Sequence, residues 1–160
     1  MEGTTGQNSS MGNTTASEFT SIQTAKSGLL SKINGTVCTL ELKNVSPQTI
    51  LFSDRPDRIV ETVSTDDFIG NWTVGQNSFA ADAPNDVLIV EDALTGELKT
   101  FIIESFNPVY EINTKTLTYT ITGENGIAIS LPGQLGPSIL VIDTTEERVE
   151  EVLNKLRPFN

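Results

Sequence analysis

Thr116-Leu117-Thr118-Tyr119-Thr120-Ile121-Thr122 alternates apolar and polar side chains without a break. Successive side chains of an extended chain point to opposite faces, so Leu117, Tyr119 and Ile121 predict a buried face and the four threonines a solvated one. The same period of two recurs upstream, where Cys38, Leu40 and Leu42 alternate with Thr39, Glu41 and Lys43. Residues 49–52 predict a further short strand after a turn at Pro47. Residues 87–91 and 98–105 predict a hairpin around Asp92-Ala93-Leu94-Thr95-Gly96, in which Gly96 can take the positive φ of a bulged turn. Both of its strands carry apolar residues on both faces, which predicts a position inside the sheet. Residues 127–131 and 138–142 complete a set of six or more short strands. With turns about every 8–12 residues, the set predicts a mainly β fold, an antiparallel sandwich or partly closed barrel.

The flanks depart from this pattern. Residues 1–18 are rich in Gly, Ser, Thr and Asn, and such chain cannot offset its ordering entropy by burying apolar surface. A disordered polar lead-in is expected there. Phe19, Ile22, Leu29, Leu30 and Ile33 recur at loose helical spacing broken by Gly28, so 19–34 reads as a short helix or linker. The β domain then spans 35–143, with one short internal helix opened by Thr65, whose hydroxyl would cap it. Asp66 and Asp67 suit the positive end of its dipole, and Phe68, Ile69 and Trp72 give it an apolar edge. Residues 144–160 read as a carboxy-terminal amphipathic helix. Thr144 and Glu147 would form its capping box, with Val149, Val152, Leu153 and Leu156 on one face and Pro158 as its stop. That face needs a groove on the sheet or a second copy, so a homodimer through 144–157 is one expectation.

Composition excludes several chemistries. The chain has 160 residues, a net charge of −11 and a pI near 4.3. Its ten Lys and Arg are too few to displace counterions from nucleic acid, and an anionic membrane is disfavoured for the same reason. No histidine is present, so no Ser-His-Asp or Cys-His pair and no histidine-ligated metal can form. The single cysteine, Cys38, cannot close an internal disulfide and reads as a small buried hydrophobe. No apolar run is long enough to span a bilayer. Met1-Glu2-Gly3-Thr4-Thr5-Gly6 shows no leader, yet the polar lead-in looks like chain that follows a removed one. Asn-x-Ser/Thr sequons at Asn8, Asn13, Asn34, Asn44 and Asn71 point the same way, toward an exported protein.

One segment concentrates opposite charges: Phe52-Ser53-Asp54-Arg55-Pro56-Asp57-Arg58. Pro56 fixes its own φ and drives Arg55 into an extended conformation. Asp54 can accept from the amides that follow it, and either arginine can fork onto a carboxylate. The plain reading is a self-satisfied loop closing one end of the sheet, with Arg58 stacked on Trp72. The sharper one is an anion or partner site formed by Asp54, Arg55, Asp57, Arg58 and Trp72, with the two guanidinium groups as paired donors.

This segment is followed by Phe68 and Trp72, by Phe79-Ala80-Ala81-Asp82-Ala83-Pro84-Asn85, and by Ser138-Ile139-Leu140-Val141-Ile142-Asp143. In that order the chain resembles a family of small uncharacterised, mostly bacterial and exported β-rich proteins. They share a hydrophobic-Phe-Ser-Asp-Arg-Pro-x-Arg motif, a Pro-Asn before a strand and an Ile-Asp near the end. The resemblance covers about 36–143. It implies the limits of the domain and its export, and it carries no assigned reaction.

The acidic clusters are the remaining candidates. Asp82, Asn85 and Asp86 can supply oxygens to calcium, although no EF-hand loop is present and a calcium site needs about six to eight such ligands. Asp66-Asp67 and Glu91-Asp92 with Glu97 read as ordinary solvated charge. A threonine row on one strand invites an ice-binding reading, but no second strand repeats it. The sequence therefore predicts a non-enzymatic exported binding or structural module of unknown ligand, placed in the periplasm, on the cell surface or outside the cell. The alternative is a calcium-dependent surface or adhesive domain. The third reading is a small hydrolase using carboxylates in the manner of a glycosidase acid pair. No cofactor other than calcium is expected.

Overall fold

The computed structural model describes residues 18–53, 58–73, 78–81, 83–123 and 133–145. Among them run nine strands and one short helix: β1 (Glu18–Ala25), β2 (Ser27–Asn34), β3 (Val37–Lys43), β4 (Gln48–Ser53), β5 (Ile59–Ser64), α1 (Thr65–Gly70), β6 (Asn85–Asp92), β7 (Leu98–Glu111), β8 (Thr116–Gly123) and β9 (Gln134–Thr145). Every pairing is antiparallel, in the order β2-β3-β8-β7-β6-β9-β1-β4-β5.

The sheet bends into a partial ring because β9 serves two partners along one edge. Its start pairs with β2 through Gly28–Leu135 and Leu29–Gln134, and the rest pairs with β1 from Ala25–Ser138 to Glu18–Thr145. The β2–β9 contact closes a ring through β3, β8, β7 and β6. Strands β1, β4 and β5 extend the wall from the other stretch of β9. This contact covers the start of the β2 edge and leaves β5 as the strand that ends the order. Where β2 meets both β3 and β9 the packing is tight: a Cβ on Gly28 would lie 2.7 Å from the backbone oxygen of Glu41 on β3. Strand β7 is irregular between Phe106 and Val109, where Asn107 has φ 48 and Pro108 brings no N–H.

The alternation of β8 is realised as written, with Leu117, Tyr119 and Ile121 fully buried. Cys38, Leu40 and Leu42 line the same interior from β3, and Leu88, Val90, Ile103, Leu140 and Ile142 fill it from β6, β7 and β9. The predicted hairpin forms between β6 and β7, and Gly96 adopts φ 74 in its turn. Its strands do occupy interior positions in the sheet, but they bury one face only. Ile102 and Val109 stand exposed on the other, because the ring has one core rather than two covered faces.

Three expectations are corrected. Residues 19–34 form β1 and β2, not a helix: Phe19, Ser21, Gln23 and Ala25 face inward in alternation, and pairing with β9 and β4 overrides the loose helical spacing. The cap of α1 is Ser64, whose hydroxyl accepts from the Asp67 amide at 3.0 Å, while Thr65 is the buried first helical residue. Thr144 does not open a helix: β9 runs on through Thr145, with Thr144 opposite Phe19. The remainder of the expected helix, the polar lead-in and the strand expected at 127–131 lie outside the described residues.

Helix α1 packs against β4, β5 and β7 and delivers an aromatic cluster to the interior. Trp72 lies 4.6 Å from Phe79 and 5.7 Å from Tyr119 between ring centroids, and Phe68 lies 5.9 Å from Phe79. Tilted pairs at such distances add to plain area burial.

Candidate functional site

The charged motif falls on the hairpin of β4 and β5. Ser53 closes β4 facing inward, Ile59 opens β5 opposite it, and Arg58 is exposed just ahead of the strand. Asp54, Arg55 and Asp57 lie outside the described residues. On the outer face of the hairpin Phe52 and Val60 stand directly opposite one another, 37% and 64% exposed. Strand β5 ends the sheet order, and among the described residues no strand pairs with its far edge. Trp72 is not a surface partner of this motif. It is buried in the aromatic cluster beneath β8.

The proposed calcium ligands are not brought together. Asp82 lies outside the described residues, and Asn85 and Asp86 are neighbours on a strand, so their side chains leave opposite faces. Asn85 is exposed, whereas Asp86 is 1% exposed in the interior. Among the described residues no group of three or more acidic or cysteine side chains is placed to hold a metal. The other acidic clusters have structural employment. Asp66 and Asp67 sit in the first turn of α1, and the Asp92 carboxylate accepts from the Leu94 and Thr95 amides at 2.8 and 3.4 Å. Glu97 lies 3.6 Å from the ammonium of Lys99.

Asp86, expected among loop oxygens offered to calcium, is instead a strand residue buried in the interior. Its direct cross-strand neighbours are Ile103 on β7 and Ile142 on β9. The buried Ser105 hydroxyl faces the carboxyl and favours its charged form, yet the geometry falls short of a hydrogen bond. Both carboxyl oxygens and the Ser105 Oγ are therefore left without a partner. Burial pushes the Asp86 pKa up to about 8, against the pull of Ser105, and the charges of Asp143 and Glu104 push it further. The group is thus neutral at pH 7. Strand parity held the signal: Asp86 shares a face with Leu88 and Val90.

A second interior polar group is fully satisfied. The Tyr119 hydroxyl donates to Gln23 Oε1 at 2.7 Å, and Gln23 Nε2 donates to Thr49 Oγ1 at 3.4 Å. Thr49 and Thr65 share a 2.9 Å hydroxyl contact, and Thr65 donates to the Ser46 carbonyl at 2.8 Å. This chain ties β8, β1, β4 and α1 together across the interior. Burial, the Asp86 charge nearby and the loss of solvation keep the Tyr119 phenol well above its usual range despite its bond to Gln23. Burial likewise pushes the Cys38 thiol up, only partly offset by Lys32, so it stays protonated and sealed in the core.

None of the described helices is long and apolar enough to cross a membrane. Comparison of the whole chain with protein-family models, with curated proteins and with solved structures returns no match.

Proposed function

We propose that this chain is a non-enzymatic, exported binding module that captures an extended polypeptide along the outer side of the β4–β5 hairpin. The observation that carries the reading is the exposed pair of Phe52 on β4 and Val60 on β5, the strand that ends the sheet order. An unpaired edge offers backbone donors and acceptors to an added strand, and alternate side chains of that strand would meet Phe52 and Val60. Exposed sequon residues Asn34 and Asn44 suit an exported chain.

Panning a displayed library of extended peptides against the full chain tests the proposal. Peptides enriched on the wild type should lose binding to Val60→Lys, while circular dichroism and melting show the variant folded. Absence of enriched sequences, or equal capture by Val60→Lys, would sink it.

A further inference from the structure

The outer face of the sheet carries an unusual apolar row. Ile102, Val87, Val141, Ile22 and Ile50 are consecutive cross-strand partners on β7, β6, β9, β1 and β4, and all five point away from the core. Ile102 is 52% exposed, and Ile139, one step along β9 on the same face, 39%. Contiguous apolar surface bounded by polar residues marks a contact site. Here the bounds are uneven. Thr100, Ile89, Ile139 and Thr24 flank one side, whereas Glu104, Asn85, Asp143, Thr20 and Phe52 flank the other, so only that rim carries acidic groups, on β7 and β9.

We infer that this row is the docking site for the chain's own carboxy-terminal segment, residues 146–160. Strand β9 ends at Thr145, four residues beyond Val141 on the same strand, or about 13 Å away. The segment need only turn back to reach the row. As a helix, 147–157 would extend about 16 Å at ~1.5 Å per residue. The five strands of the row span about 19 Å at ~4.8 Å spacing. The lengths match. Val149, Val152, Leu153 and Leu156 would form one stripe, and Arg148 and Lys155 would both fall along one flank of it. Laid on the row, that basic flank meets the acidic rim of Glu104 and Asp143, which fixes the direction as well as the place of docking. The surface on β4 and β5 around Phe52 and Val60 stays free for the partner proposed above.

Methyl-labelled full-length protein tests this directly. Leu153 and Leu156 methyl groups should show Overhauser contacts to Ile102, Val141 or Ile22, and these should persist when labelled chains are diluted into a large excess of unlabelled ones. Loss on dilution would assign the row to a second copy and overturn the inference, as would absence of the contacts. In the full chain, Leu153→Asp/Leu156→Asp should abolish them and raise the fluorescence of a hydrophobic dye several-fold. An unchanged signal counts against docking. Glu104→Lys should weaken the contacts, and Arg148→Glu added to it should restore them. Restoration is an effect that a merely structural Glu104 would not give.

Discussion

Tyr119 on β8 and Gln23 on β1 meet across the interior, the phenolic hydroxyl donating to Gln23 Oε1 over 2.7 Å and 96 positions of chain. The bond fixes the distance between two walls of the ring that share no strand pairing, and it anchors the chain of contacts through Thr49 and Thr65 to α1.

Tyr119→Phe would leave the Gln23 carbonyl oxygen buried and unpaired with little change in packing. Deserting a buried acceptor costs about 1–3 kcal/mol. Denaturant unfolding should show that loss. In a double-mutant cycle with Gln23→Met the two effects should be markedly non-additive, since each variant breaks the same bond. Additive losses would mean that the bond contributes nothing of its own.

Asp86 sets a pH dependence whose sign is unusual for a carboxylate. Its folded pKa, about 8, lies above the unfolded value near 3.9. The folded state therefore holds a proton that the unfolded state has already released. Stability from this group is fully present below about pH 4 and declines through the interval at ~1.4 kcal/mol per pH unit. It levels off above about pH 8. Asp86→Asn keeps the shape and removes the titration. The two proteins should be close in stability near pH 4, and the variant should gain steadily as pH rises to 8. Parallel stability curves for the two would refute the neutral buried carboxyl.

The sequence exposed the wall of the sheet where a strand alternates cleanly. Residues 116–122 and 37–43 are legible because one side of each faces the core and the other faces water or a half-covered surface. Strands β1 and β2 were hidden because Ser21 and Gln23 occupy core positions, so the apolar residues that remain fall by accident at helical intervals. Strand β5 was hidden because Val60, 64% exposed, stands on its outer face, the reverse of a polar outer face. For the site, the loop after β4 stood out through its crowding of Asp and Arg, but the edge position of β5 depends on sheet order, which short-range pattern does not carry. Trp72 read as a stacking partner for Arg58 because its burial depends in part on Tyr119, which is distant in sequence.

Gly28 broke the helical reading of its segment, and the structure gives that glycine a different purpose. It sits where β2 is flanked by Leu42 on β3 and Leu135 on β9. Gly28→Ala would press a methyl group to 2.7 Å from the Glu41 backbone oxygen, a contact that only a backbone shift can relieve. Overpacking of this kind costs about 1–3 kcal/mol. The melting midpoint should fall by several degrees, with hydrogen exchange rising first in β2 and at the start of β9. An alanine variant with the wild-type midpoint would show that the closure is looser than drawn.

Calcium provides a further test, because the side chains once grouped as its ligands are divided by the sheet. Asn85 faces solvent and Asp86 faces the core between two isoleucines, so one ion cannot reach both without unpairing β6 from β7 or β9. Asp86 is also neutral at pH 7, and a protonated carboxyl is a poor ligand for a hard cation. A ligand present at a hundred times its Kd stabilises the native state by about 2.7 kcal/mol, enough to move a midpoint by several degrees. Millimolar calcium should therefore leave the melting midpoint at its value in chelator, at pH 7 and constant ionic strength. A rise of several degrees, cancelled by chelator, would show that loop oxygens gather an ion without Asp86 and would reopen the adhesive reading.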